Sequence, residues 1–169
     1  MANRTGTTYF AETLAKFGIN AELLVGDGTS PENFEAIAGI RVITPGEKSS
    51  SNIDLTHLRS PDRHTESAPG RRTSGPFQFQ AIWMPEEESQ SNAGGGSGSF
   101  QNGGLFALER TQEIRNFVVR FDDGGSPVGF EWPFRGYVAS LQPGEIVDNN
   151  VVLLNGSIMP TRDYSASLP

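Results

Sequence analysis

Apolar residues in this chain recur at every second position, in short runs cut by turn residues, and no other feature limits the possible folds so strongly. Phe77, Phe79, Ala81 and Trp83 alternate with Gln78, Gln80 and Ile82, and Pro85 ends the run. Phe117, Val119 and Phe121 alternate with Asn116, Val118 and Arg120, and Asp122-Asp123-Gly124-Gly125 follows as a hairpin turn signal. Val128 to Leu141 carries Phe130, Trp132, Phe134 and Val138 on one face. Pro133 has no N–H to give a ladder, so that strand is expected at an edge or bulged there. Val151 to Met159 puts Val152, Leu154 and Ile158 on one face. Period two is the strand period. Upstream, Ala21 to Val25, Phe34 to Thr44 and Ser51 to Leu58 read as further strands, with turns at Gly26-Asp27-Gly28 and Pro45-Gly46. Leu105 to Thr111 is the one good helix candidate, short and free of breakers. Roughly seven strands and one small helix predict a mainly β chain, a β-sandwich or barrel with a helix covering one end.

Much of the remainder does not fit inside such a core. The chain has 169 residues with 20 Gly and 11 Pro. Its apolar share is 36 %, below the roughly 45–50 % of ordinary globular domains. Residues 59–76 have no periodicity and three prolines. Residues 86–104 are Gly- and Ser-rich and open on Glu86-Glu87-Glu88, which predicts a flexible surface insertion that a short Gly-Ser connection would replace. Residues 1–20 and 161–169 read as terminal arms around a domain at 21–160. Loops longer than roughly 12–15 residues are uncommon in compact domains unless functional or disordered. Arms and loops of this extent point to a subunit that completes itself against neighbours.

Charge and reactive residues narrow the function classes. The net charge is −7. Binding to nucleic acid draws on cations that meet phosphates, so a chain that grips DNA is disfavoured. The segment 59–72 is locally basic, with Arg59, Arg63, Arg71 and Arg72 against Asp62 and Glu66. Two readings stand: a solvated loop, or a loop that docks on an acidic surface of another copy. Cysteine is absent, and the two histidines, His57 and His64, fall in a loop without a third ligand. Neither a nucleophile elbow nor a phosphate-binding glycine loop occurs. Asp122-Asp123 suits its turn rather than paired-carboxylate chemistry. The expectation is a non-enzyme without catalytic, cofactor-binding or metal-binding residues. No apolar run reaches the ~18–20 residues of a membrane span. No signal peptide is recognisable, so the chain is expected to stay in the cytoplasm or leave it by another route.

An ordered set of segments resembles the major tail tube proteins of long-tailed, lambda-like bacteriophages. The set is Thr44-Pro45-Gly46-Glu47, Trp83-Met84-Pro85, the Leu105 to Leu108 helix, Ile114 to Phe121 and Phe134 to Leu141. It spans roughly residues 20–160, and the 86–104 stretch is longer than the family's usual connection. The resemblance implies a β-sandwich with a flanking helix, rings of six stacked into a hollow virion tail assembled in the host bacterial cytoplasm, and no membrane contact. It implies that one sheet per subunit joins a barrel around the lumen, while a long loop and the terminal arms bridge rings. Carried over, the ring-stacking loop is Arg59 to Pro76, with Arg59, Arg63, His64, Arg71 and Arg72 as its contact residues. The lumen is expected to be acidic, so that DNA slides through without specific binding during genome ejection. Candidates for its lining are Glu35, Asp54, Asp122, Asp123 and Asp148. Implied partners are further copies of the chain, a tape measure protein, a tail terminator and baseplate or distal tail proteins. The alternatives are a secretion-tube or tail-terminator relative, or a β-sandwich binding module.

Overall fold

A computed structural model describes residues 21–56, 65–121, 131–146, 148 and 150–161. In chain order the strands are β1 (Ala21–Gly26), β2 (Phe34–Ala36), β3 (Ile40–Thr44), β4 (Lys48–Asp54), β5 (Ser67–Ser74) and β6 (Phe77–Ile82). A 3-10 turn (Gly98–Phe100) and one helix, α1 (Leu105–Thr111), precede β7 (Arg115–Phe121), β8 (Glu131–Pro143) and β9 (Leu153–Pro160). Seven strands form one antiparallel sheet in the order β2-β1-β7-β8-β9-β6-β3, while β4 and β5 pair only with each other.

The mainly β expectation holds, with the core built by one sheet curled upon itself. Phe77 on β6 stacks on Phe134 of β8 at 4.1 Å between ring centroids, although β9 lies between those strands in the sheet. Phe134 also stacks on Phe117, its β7 partner, at 5.5 Å. The alternating residues of the sequence are the core: Phe77, Phe79, Ala81, Phe117, Val119, Leu154 and Ile158 are all buried. Helix α1 closes one end by burying Leu105, Ala107 and Leu108. It stops at Gln112, which has a left-handed φ of 54°. Gln112 Nε2 donates to the Glu109 carbonyl at 2.6 Å and the Val138 carbonyl at 3.1 Å, tying the helix end to β8. Pro133 sits where β8 pairs with Val118 of β7 and extends beyond the end of its β9 pairing, a local edge that tolerates a missing N–H.

Three expectations need correction. The run Phe34 to Thr44 is two strands rather than one. Gly39 (φ 74°) breaks it, and Ile37 turns into the core, its N–H bonded to the Leu23 carbonyl at 2.8 Å. The second correction concerns 59–76, expected to lack structure: Ser67–Ser74 is strand β5, in register with β4 from Lys48↔Ser74 to Asp54↔Ser67. Side-chain alternation gave no hint because every β4 residue is exposed, so no buried face imposes a hydrophobic period.

The third correction is the largest. Residues 86–104 are not a flexible excursion, since Ser89, Gln90, Ser99 and Phe100 are all buried. Gln90 Nε2 donates to the carbonyls of Ala38 (2.9 Å) and Ile82 (2.8 Å), and its Oε1 accepts from Met84 N–H at 2.8 Å. Ser89 Oγ accepts from Ala38 N–H at 3.0 Å. Ser99 Oγ donates to the Val25 carbonyl at 2.8 Å, and Ser99 N–H to Glu35 Oε2 at 2.9 Å. The segment plugs the end of the curled sheet through hydrogen bonds rather than apolar burial. Its one large apolar contribution to the core is Phe100.

Candidate functional site

Two surfaces stand out: the β4–β5 ribbon, and one half of the sheet's outer face. The ribbon leaves the core between β3 and β6, and its base is clipped by Gly75 N–H to the Glu47 carbonyl at 2.7 Å. Lone two-stranded ribbons are marginal in water. This one is held by backbone pairing and by contacts such as Ser49 Oγ to Thr73 Oγ1 at 2.9 Å. A register shift between Ser50 and Asn52 bends it. Near its far end, Ile53 and Leu55 are exposed. Arg71 and Arg72 both lie on β5 and are exposed. Arg71 falls in the bulge at that register shift, where Gly70 and Arg71 together face Ser51, next to Arg72, which pairs with Ser50. Among the described residues neither has a carboxylate partner. Arg59, Arg63 and His64 lie outside the described residues.

The expected acidic residues are scattered. Glu35 is half-buried and spends its carboxylate on Ser99 N–H. It also lies where a side chain on Gly98 (φ 51°) would stand. Its carboxylate is thereby held at the 3-10 turn Gly98–Phe100. Asp54 sits at the ribbon's end, and hydrogen bonds from the Thr56 side chain and backbone hold it below the ordinary carboxylate range. Asp148 is exposed in the connection between β8 and β9. Asp122 and Asp123 lie outside the described residues.

The outer face of the sheet is divided. Over β1, β7 and the start of β8 it is charged: Glu22 lies opposite Arg120, and Arg120 opposite Glu131. Arg120 Nε donates to Glu131 Oε1 at 2.9 Å. Asn116 Nδ2 donates to Glu32 Oε2 at 2.7 Å. Over β3, β6, β9 and the end of β8 the paired rows are uncharged, and the one charged residue on those stretches is Arg41, exposed at the β3 bulge. Thr44, Gln78, Ser157 and Ser140 form one cross-strand row, and Val42, Gln80, Asn155 and Gln142 the next. Gln80 Nε2 donates to Asn155 Oδ1 at 3.0 Å, and the hydroxyls of Ser140 and Ser157 lie 2.8 Å apart. Together these residues line a shallow depression of about 390 Å³. Partly buried apolar pairs border it, Ile82 with Leu153 at one end and Tyr137 with Met159 at the other. The sequence carried a signal for this face in the amides at alternate positions of β6, but nothing local showed which strands would extend it.

The family of lambda phage tail tube proteins, TTP, matches residues 24–152. The chain belongs to that family. It is a structural subunit of the tail tube of a phage or phage-like particle, and its family is one of structural proteins rather than enzymes. No curated protein matches it. Among solved structures, the tail tube subunit resembles a chain of the sheath–tube complex of an extracellular contractile injection system, PVC, in its extended state. The TM-score is 0.67 and the identity 15 %, over 98 % of this chain and 99 % of that one. It also resembles the SPP1 tail tube, with a TM-score of 0.63 and 9 % identity over 92 % and 80 % of the two chains. A third similarity is to the tail of an empty gene transfer agent particle refined with C6 symmetry. There the TM-score is 0.56 and the identity 16 %, over 92 % and 99 %. At these identities the likeness is one of fold. For a structural subunit of a tail tube the working parts are its surfaces. The ribbon and the divided outer face are the candidates.

Proposed function

We propose that this subunit forms rings of six that stack into a tube, and that the tube's negatively charged lumen conducts DNA during genome ejection. The observation that carries the stacking is the β4–β5 ribbon. It is a paired ribbon outside the core that presents two adjacent exposed arginines, neither with a carboxylate partner among the described residues. A ribbon that reaches a neighbouring ring lets these arginines meet an acidic surface there. The subunit supplies such surfaces, because its net charge is −7. A single exposed pair is worth about 0–1 kcal/mol, but a ring repeats it in every copy. Around the ring, β2 and β3, the edge strands among the described residues, are placed to pair with neighbours, and closure would remove edges that otherwise aggregate. Head-to-tail stacking then yields a filament. A tape measure protein inside the tube, a terminator at one end and distal tail or baseplate proteins at the other complete the assembly. The charge of each subunit, with Asp148 and Asp54 on exposed connections, gives the lumen a field that repels phosphate.

The test is electron microscopy of purified protein carrying Arg71→Glu, Arg72→Glu or both. The expected result is a folded subunit with wild-type melting that fails to form long tubes, and wild-type tubes that shorten in high salt. Normal tubes from the double variant would remove the ribbon's charges from the stacking contact. Single rings from the wild type would favour a terminator in place of a tube subunit.

A further inference from the structure

The uncharged half of the outer face has a chemistry unlike the rest of this surface. Ionisable Lys, Arg, Asp and Glu make up 20 % of the chain, and the β1–β7 half of the same face carries its share. The two cross-strand rows over β3, β6, β9 and β8 carry none, over four adjacent strands. We propose that this face is the wall of the lumen, and that the passing DNA duplex slides on a surface of neutral amides and hydroxyls. The proposal rests on the tube reading above and adds which face looks inward and by what chemistry it stays non-adhesive.

Three observations separate this occupant from another subunit. The core of a protein–protein interface is typically apolar and aromatic, whereas Val42 is the single apolar member of the two rows. The rows also bond within themselves, Gln80 to Asn155 and Ser140 to Ser157, while the remaining amides stay open to water. Finally, the absence of charge is what a sliding polyanion requires. A Lys or Arg here would bind phosphate at every ring, because cation–phosphate contacts dominate affinity for nucleic acid. Carboxylates on the wall itself would hold the duplex off but also gather cations along it. Neutral groups exchange equivalent hydrogen bonds through water as the duplex moves. The connection that follows β8 carries Glu145 and Asp148 beside one end of this face. The repelling charge is then set at the rim of each ring while the wall stays neutral.

The absence of cysteine makes the test direct. Gln80→Cys, and Ser140→Cys as a second variant in case the first fails to fold, are assembled into tubes and treated with two maleimides, one small and one fused to a bulky globular carrier. In the free subunit both reagents label. In the tube, the proposal expects labelling by the small reagent and at least tenfold less by the bulky one. Equal labelling by both places the face outside, and labelling by neither places it between subunits; either result overturns the proposal. If wild-type protein forms no tube at all, the tube reading fails instead. The neutral chemistry is tested by Gln80→Lys with Asn155→Lys. Pelleted variant tubes are expected to retain a short fluorescent oligonucleotide at least tenfold more than wild type at low salt, and to release it at high salt. Equal retention would show that the missing charge is not what keeps DNA free.

Discussion

The segments 86–104 and 48–74 look alike as sequence and behave oppositely as structure. Both are rich in small polar residues and lack an apolar period. One folds inward, with Gln90 buried against three backbone partners. The other projects as a ribbon exposed along the whole of β4. Low apolar content therefore separates segments that add core from those that do not, but it does not separate plug from arm. A buried amide that meets the carbonyls of Ala38 and Ile82 and the N–H of Met84 serves structure as well as a leucine does. It does so through bonds that no sequence period records.

Excising each segment in turn gives the widest contrast. Replacing 86–104 with a short Gly-Ser link is expected to unfold the subunit, since it strips the partners of Ala38, Ile82, Met84, Val25 and Glu35 at once. Replacing 49–73 with a turn is expected to leave the melting temperature close to wild type, because the ribbon covers no core. Thermal melts by circular dichroism check both, and equal melting of the two deletion variants would break the comparison. Sharper but smaller is Gln90→Ala, which leaves buried backbone groups unpaired and is expected to cost about 3 kcal/mol in denaturant titration. Loss below about 1 kcal/mol would show that water replaces the amide and that the plug is loose.

The smallest effect lies beside the plug, in the turn after β1. Asp27 accepts from Thr29 N–H at 2.9 Å and from the Asn33 side chain at 3.0 Å. The Thr29 bonds, backbone first, hold its pKa at about 2, below the ordinary 3.8. A depressed carboxylate stabilises the fold above its unfolded value, so that contribution is fully present above pH 3.8 and fades as pH falls through about 2. Wild type and Asp27→Ala should therefore differ slightly at neutral pH and converge in acid. Carboxyl chemical shifts followed against pH read the titration, and an ordinary Asp27 midpoint would show that the turn is not closed as described.

The sequence by itself determined the strands that carry an apolar face and the helix that caps them. Phe77, Phe79 and Ala81, Phe117 and Val119, and Leu105 with Leu108 are buried as their spacing predicts, because a half-buried element writes its period into its residues. Tertiary structure alone decided what lacks such a face. Strand β5 exists because β4 is there to pair with it, and Gln90 is buried because the distant Ala38 carbonyl joins the nearby Ile82 and Met84 backbone groups around it. The candidate site divides the same way. Arg71 and Arg72 were legible as charge, but their place on a paired strand, one of them in its bulge, was not. The neutral face is assembled from β3, β6 and the β8–β9 pair, three stretches that stand apart in the sequence. Cross-strand neighbours are set by register, and register forms only when the sheet does.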